Sequence, residues 1–119
     1  MNIIIAGSRE FDDYEYLKEA MDEIIAELDD GTKISIVCGM ARGADLLGKQ
    51  YAEDRWLAVI EMPADWDQYG KKAGHIRNEE MAKIGDVLVA FWIPPSPGTK
   101  NMIGLAEKYK LKISVHEVS

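Results

Sequence analysis

Three short stretches place glycine beside residues that recognise anions: Gly7-Ser8-Arg9, the run from Gly39 to Asp45 ("GMARGAD"), and Pro97-Gly98-Thr99. Each follows an apolar run and leads into helical periodicity. Glycine at such a joint lets the backbone take up positive φ and bring N–H groups close to a ligand. A helix that starts there adds unpaired N–H donors and the positive end of its dipole, which together suit a phosphate. Arg9 and Arg42 add guanidinium groups able to grip a phosphate through paired hydrogen bonds. Ser8 and Thr99 add hydroxyls, and Gly39, Ala41, Gly43 and Ala44 keep the middle stretch small. Any one of these stretches alone reads more simply as a turn. Their chemistry becomes specific only if the fold gathers them.

A fourth stretch, "PADWDQYGKKAGHIRNEEM", carries further candidates. Arg77 and Asn78 stand near the start of a helix and would complete an anion site. Asp65 would hold a ribose, pair with Arg77 or cap its loop. Trp66 and Tyr69 would either cover the end of the core or stack on a base. Lys71 and Lys72 are solvated or guard the mouth of a pocket, and His75 has no evident Ser or Cys partner, so no catalytic dyad is assigned. Asp45 would complement a helix dipole, cap an amide or bind a ribose hydroxyl. The single cysteine, Cys38, follows a β-branched run and reads as a small buried hydrophobe. It excludes an internal disulfide, and no metal cluster or cofactor is expected.

The elements that must position these residues alternate regularly. Strands are expected at 2–6, 34–38, 57–61, 87–91 and from 112 to 115 or 116. Helices are expected at 13–28, 44–54, from 75 or 77 to 84, and at 100–109, with a structured loop over "MPADWDQYGKKAG". Strands alternating with helices over short loops imply parallel pairing with both faces covered. The expected fold is therefore an α/β, Rossmann-like three-layer sandwich with a five-stranded parallel sheet in the order 3-2-1-4-5. In that order the second, first and fourth strands are neighbours, and the loops at their carboxyl ends open on one edge. Topology would thus collect the three glycine stretches.

The chain has 119 residues, which suits one domain spanning residues 1–119. Its formal net charge is −7, with no block of lysines and arginines, which argues against a protein that wraps nucleic acid. No apolar run approaches the roughly 20 residues of a membrane span, and the first strand is too short for a signal peptide, so a cytoplasmic location is expected.

In their order along the chain, "AGSREF", "GMARGAD", "PADWDQYGKKAGHIRNEEM" and "PPSPGTKNM" resemble the YspA/YpsA-related branch of the SLOG superfamily, named after the Smf/DprA and LOG (Lonely guy) proteins. The resemblance implies a Rossmann-like fold and a pocket for nucleotides or nucleotide-derived molecules, including ADP-ribose and cyclic ADP-ribose types, held as a sensor or a sequestering protein. It also implies a homo-oligomer, dimer or higher, because LOG-like relatives pair through helices. Some SLOG domains sense such signals in antiphage defence, and members of this branch occur in bacteria and phages; a phage-encoded copy would work in the host cytoplasm.

LOG enzymes hydrolyse nucleoside 5'-monophosphates, and their signature ends in Pro-Gly-Gly-x-Gly-Thr-x-x-Glu. Here Ser96-Pro97 replaces the Gly-Gly and Met102 stands at the glutamate position. Methionine can neither stabilise an oxocarbenium-like centre nor activate water. The resemblance therefore favours binding over turnover, with LOG-like phosphoribohydrolase activity as the alternative and DprA-like single-stranded DNA binding as a second. Asp45, Asp65, Glu79 or Glu80 would have to replace the missing carboxylate, and the catalytic residue is unassigned.

Overall fold

A computed structural model describes residues 1–118. Five strands, β1 (Asn2–Gly7), β2 (Ser35–Cys38), β3 (Ala58–Glu61), β4 (Val87–Trp92) and β5 (Lys112–Glu117), form one sheet. All pairings are parallel and the order is β3-β2-β1-β4-β5, the order expected from the sequence.

The central strand shows why the sheet must be covered twice. Ile3 and Ile5 face one side with Ile36, Val89 and Phe91, beneath α1 (Tyr14–Ala26) and α2 (Ala44–Asp54). Ile4 and Ala6 face the other with Val37, Leu88 and Ala90, beneath α4 (Ala73–Ile84) and α5 (Pro97–Lys108). Successive side chains of a strand alternate between faces, so an unbroken apolar run needs a helical layer on each side. Leu17, Met21 and Tyr51 fill the first layer; Met81, Met102 and Ala106 fill the second.

Three helix boundaries differ from the sequence expectation by two residues or more, each for a local reason. The helix expected to run to Leu28 ends at Ala26, because Glu27 and Leu28 donate to Ile24 and Ile25 at 3.3 and 3.0 Å and tighten its last turn. The loop expected over 62–74 contains a one-turn helix, α3 (Trp66–Tyr69), a 3₁₀ turn at Gly70–Lys72 and the start of α4 at Ala73. Pieces this short leave no periodicity to read. Helix α5 begins at Pro97 instead of Lys100, since proline is well tolerated in the first helical turn.

Candidate functional site

The turns after β2, β1 and β4 open together on the carboxyl edge of the sheet and are stitched to one another. Ser8 does much of this. Its amide donates to the Phe91 carbonyl at 2.9 Å. Its hydroxyl accepts from the Ile93 amide at 2.8 Å and donates to the Ile93 carbonyl at 3.2 Å. Its carbonyl accepts from the Ala44 amide at 3.4 Å. The hydroxyl is buried and already engaged twice, so Ser8 shapes the site from within.

Gly43 completes the joint. It sits at φ +83° and ψ −133°, where a side chain is strongly disfavoured, and a Cβ there would stand 2.6 Å from the Arg9 carbonyl oxygen. Close contact between the first two turns therefore requires glycine.

Between these turns and α4 lies a cleft of about 540 Å³. Gly7, Ser8 and Arg9, then Ala41 and Asp45, and the segment from Ile93 through Gly98 and Thr99 all line it. Helix α4 and the turn before it contribute Lys71, Gly74, His75, Arg77 and Asn78, and Trp66 stands at the side. A second cavity of about 340 Å³ adjoins it, lined by Gly39, Met40, Arg42, Pro63 and Ala64 together with Arg9, Ala41, Trp66 and Arg77.

The sequence candidates thus separate into groups. Gly7, Ser8, Arg9, Ala41, Asp45, Trp66, Arg77, Asn78, Gly98 and Thr99 meet at the larger cleft. Gly39 and Arg42 reach only the smaller cavity. Gly43 and Ala44 lie outside the lining, where they hold the turns together. Asp65 lines neither; its carboxylate accepts from the Gln68 amide at 3.1 Å and caps α3, one of the roles open to it from sequence.

Asp45 and Arg77 dominate the electrostatics. Asp45 is only 6% exposed, and its Oδ2 accepts from the Ala41 amide at 3.2 Å. Burial pushes its carboxyl up to about 6, against the opposing influence of Arg77, the Ala41 amide and Arg9. Arg77 Nη1 donates to the carbonyls of Gly39 and, at 3.4 Å, Met62, and Nε donates to Asn78 Oδ1 at 3.0 Å. Burial moves the Arg77 guanidinium below its ordinary value, with Asp45 opposing. The Arg77 side chain packs so close to Gly39 that a Cβ there would stand 2.8 Å from its Cζ. Asn78 carries the network onward, donating to Asn101 Oδ1 at 2.9 Å and to the Gly98 carbonyl at 3.4 Å.

Other groups face the cleft with capacity to spare. Arg9 is exposed and makes no hydrogen bond or ion pair among the described residues. The N-terminus of α5 has no side-chain cap; Ser96 and Thr99 hydroxyls bond each other at 2.8 Å instead. Arg42 is 69% exposed and pairs with Glu10 at 3.0 Å at the rim of the smaller cavity. Cys38 is buried, and burial raises its thiol to about 11, which makes it a packing residue.

Sequence reasoning passed over Glu10, Met81 and Asn101, and from the loop after β4 it singled out Gly98 and Thr99 as ligand contacts without Ile93 to Ser96. Glu10 stands beside Arg9 and gave a local signal. Met81 and Asn101 looked like ordinary helix positions.

Residues 1–69 match the family described as YspA, cpYpsA-related SLOG family. The chain belongs to this family. The "Gene 61 protein" of Mycobacterium phage D29 is 34% identical to this SLOG chain over 112 residues, which cover 89% of the chain and 88% of that relative. No solved structure matches significantly. Among the described residues of this SLOG protein, no helix is long and apolar enough to cross a membrane.

Proposed function

We propose that the cleft binds a nucleotide-derived, phosphate-bearing small molecule of the ADP-ribose, cyclic ADP-ribose or nucleoside-phosphate type, holding it as a sensor or sequestering protein would. One observation carries this reading: an unpaired Arg9, the half-buried Arg77 and the uncapped start of α5 border one cleft of about 540 Å³. Its volume falls in the range of about 300–1,000 Å³ usual for small-molecule sites. An α-helix N-terminus and two guanidinium groups supply donors that a phosphate satisfies. Membership of a SLOG family supports a nucleotide-related ligand.

Calorimetry with AMP, ADP-ribose, NAD and cyclic ADP-ribose variants tests the reading. Binding by at least one of them, weakened in Arg9→Ala, is the expected result. No heat from any of them at millimolar concentration sinks it.

A second reading, cleavage of a nucleotide's glycosidic bond, is favoured by Asp45 alone. A carboxyl pushed up to about 6 inside the cleft is poised for proton transfer near neutral pH. Met102, buried against the same cleft, leaves the LOG glutamate position without a carboxylate. Incubation with nucleoside monophosphates, followed by chromatography for free base, separates binding from turnover.

A further inference from the structure

The cleft and its neighbouring cavity are two lobes of one surface. Four residues, Arg9, Ala41, Trp66 and Arg77, line both. The ridge between the lobes therefore carries two guanidinium groups and one indole, and each lobe by itself is within the size of an ordinary small-molecule pocket, about 300 Å³ or more.

The donors on that ridge are not all used internally. Arg77 directs Nη1 and Nε into the protein, while its Nη2 makes no hydrogen bond among the described residues. Arg9 has no partner at all among them. Trp66 is 53% exposed, so an aromatic face is open to solvent at the junction. A ring in either lobe can lie against it. The larger lobe also has the uncapped start of α5, and the smaller has Arg42 at its rim, so each end carries its own polar anchor.

A mononucleotide seated in one lobe would leave the other to water. We propose that the ligand is two-headed: two ring-bearing ends joined by a phosphate bridge that lies across Arg9 and Arg77, with one end in each lobe. This inference rests on the binding function proposed above and narrows its ligand class to dinucleotides and nucleoside-diphosphate sugars. The bridge is where negative charge is most concentrated in such molecules, and the ridge offers it Arg9 and the free Nη2 of Arg77, with Lys71 lining the larger lobe beside them.

Calorimetry on the wild-type chain with AMP, ADP-ribose and NAD, repeated on Ala64→Trp and Arg42→Glu, tests it. Ala64 lines only the smaller lobe, and a tryptophan there fills it; Arg42 is exposed at its rim, so its reversal leaves the fold intact. The expected result is that ADP-ribose or NAD binds at least about tenfold more tightly than AMP, which is the gain from a second well-seated fragment. Ala64→Trp removes that advantage and leaves AMP affinity unchanged, and Arg42→Glu weakens only the two-headed ligands. Equal affinities for AMP and the two-headed ligands overturn this proposal while sparing nucleotide binding, as does an Ala64→Trp variant that keeps the full advantage. Failure of all three ligands to bind overturns both.

Discussion

The two edges of the sheet treat polar groups in opposite ways. At the carboxyl edge lie the buried polar residues found among those described: Ser8, Asp45, Asn78 and Thr99. At the amino edge polar groups stay in contact with water. Arg55 and Asp22 form a 2.7 Å ion pair there with both side chains at least 40% exposed, and Asp86 accepts from the Asn2 amide at 2.7 Å on the surface. Burying a polar group is unfavourable unless a partner is supplied, and burying a carboxylate is more so. The carboxyl edge supplies those partners: Ser8, Asn78 and Thr99 are hydrogen-bonded there, and Asp45 accepts from the Ala41 amide.

Glycines at the two edges give the largest test of this contrast. Gly43 and Gly31 both have positive φ, +83° and +86°, but a Cβ on Gly31 would meet nothing within 4 Å. Gly31→Ala is expected to cost only the backbone strain, about 1–2 kcal/mol. Gly43→Ala adds a clash with the Ser8 and Arg9 backbone and is expected to cost about 2–5 kcal/mol in all. Chemical denaturation of the two variants checks the difference; equal losses would mean the joint between the first two turns is soft.

Two aspartates, one at each edge, give the next. Burial raises the Asp45 carboxyl from 3.8 to about 6, so the folded state holds a proton that the unfolded state has released between those values. That contribution is full below pH 4 and is lost as the pH rises through 6. Asp45→Asn, which removes the buried charge, is expected to stabilise the protein at pH 7.5 by up to about 3 kcal/mol, since each tenfold change in proton affinity corresponds to roughly 1.4 kcal/mol. Asp22 runs the other way. Hydrogen bonds from Arg55 and Tyr51 hold its carboxylate below the ordinary range, so its contribution is present above that range and disappears as the pH falls. Melting temperatures of Asp45→Asn and Asp22→Asn from pH 3.5 to 7.5 should therefore diverge from wild type in opposite directions. Parallel curves would mean Asp45 is solvated.

Charge removal gives a smaller contrast. Arg9→Ala is expected to weaken phosphate-bearing ligands by about tenfold or more, the usual effect of losing a hydrogen bond to a charged group, and to leave stability unchanged. Arg55→Ala should do the reverse, with ligand affinity intact and stability lowered only slightly, as for other exposed pairs. Calorimetry and thermal unfolding on both variants read the two effects side by side.

Much of this architecture was legible in the residues alone. The apolar runs around Ile4, Val37 and Leu88 identified strands buried on both faces, and short connections forced them into parallel register. The expected strand order, one of the common ones for such alternation, brings together the turns at Gly7, Gly39 and Gly98. The roles inside those turns were less legible. Ser8 and Thr99 have residue types that suit a ligand, but both hydroxyls bond within the protein. Gly43 looked like part of an anion cradle and is a spacer between two backbones. Asp65 is spent on its own helix.

Sequence by itself determined the alternation of elements, the shared edge and the residue types delivered there, because those depend on periodicity and connection length. Only the tertiary structure decided which donors stay free, that the Asp45 carboxyl lies buried near Arg77, and that two lobes meet at a ridge of Arg9, Trp66 and Arg77. Those outcomes depend on competition for partners between segments distant in the chain, and no local pattern records who wins it.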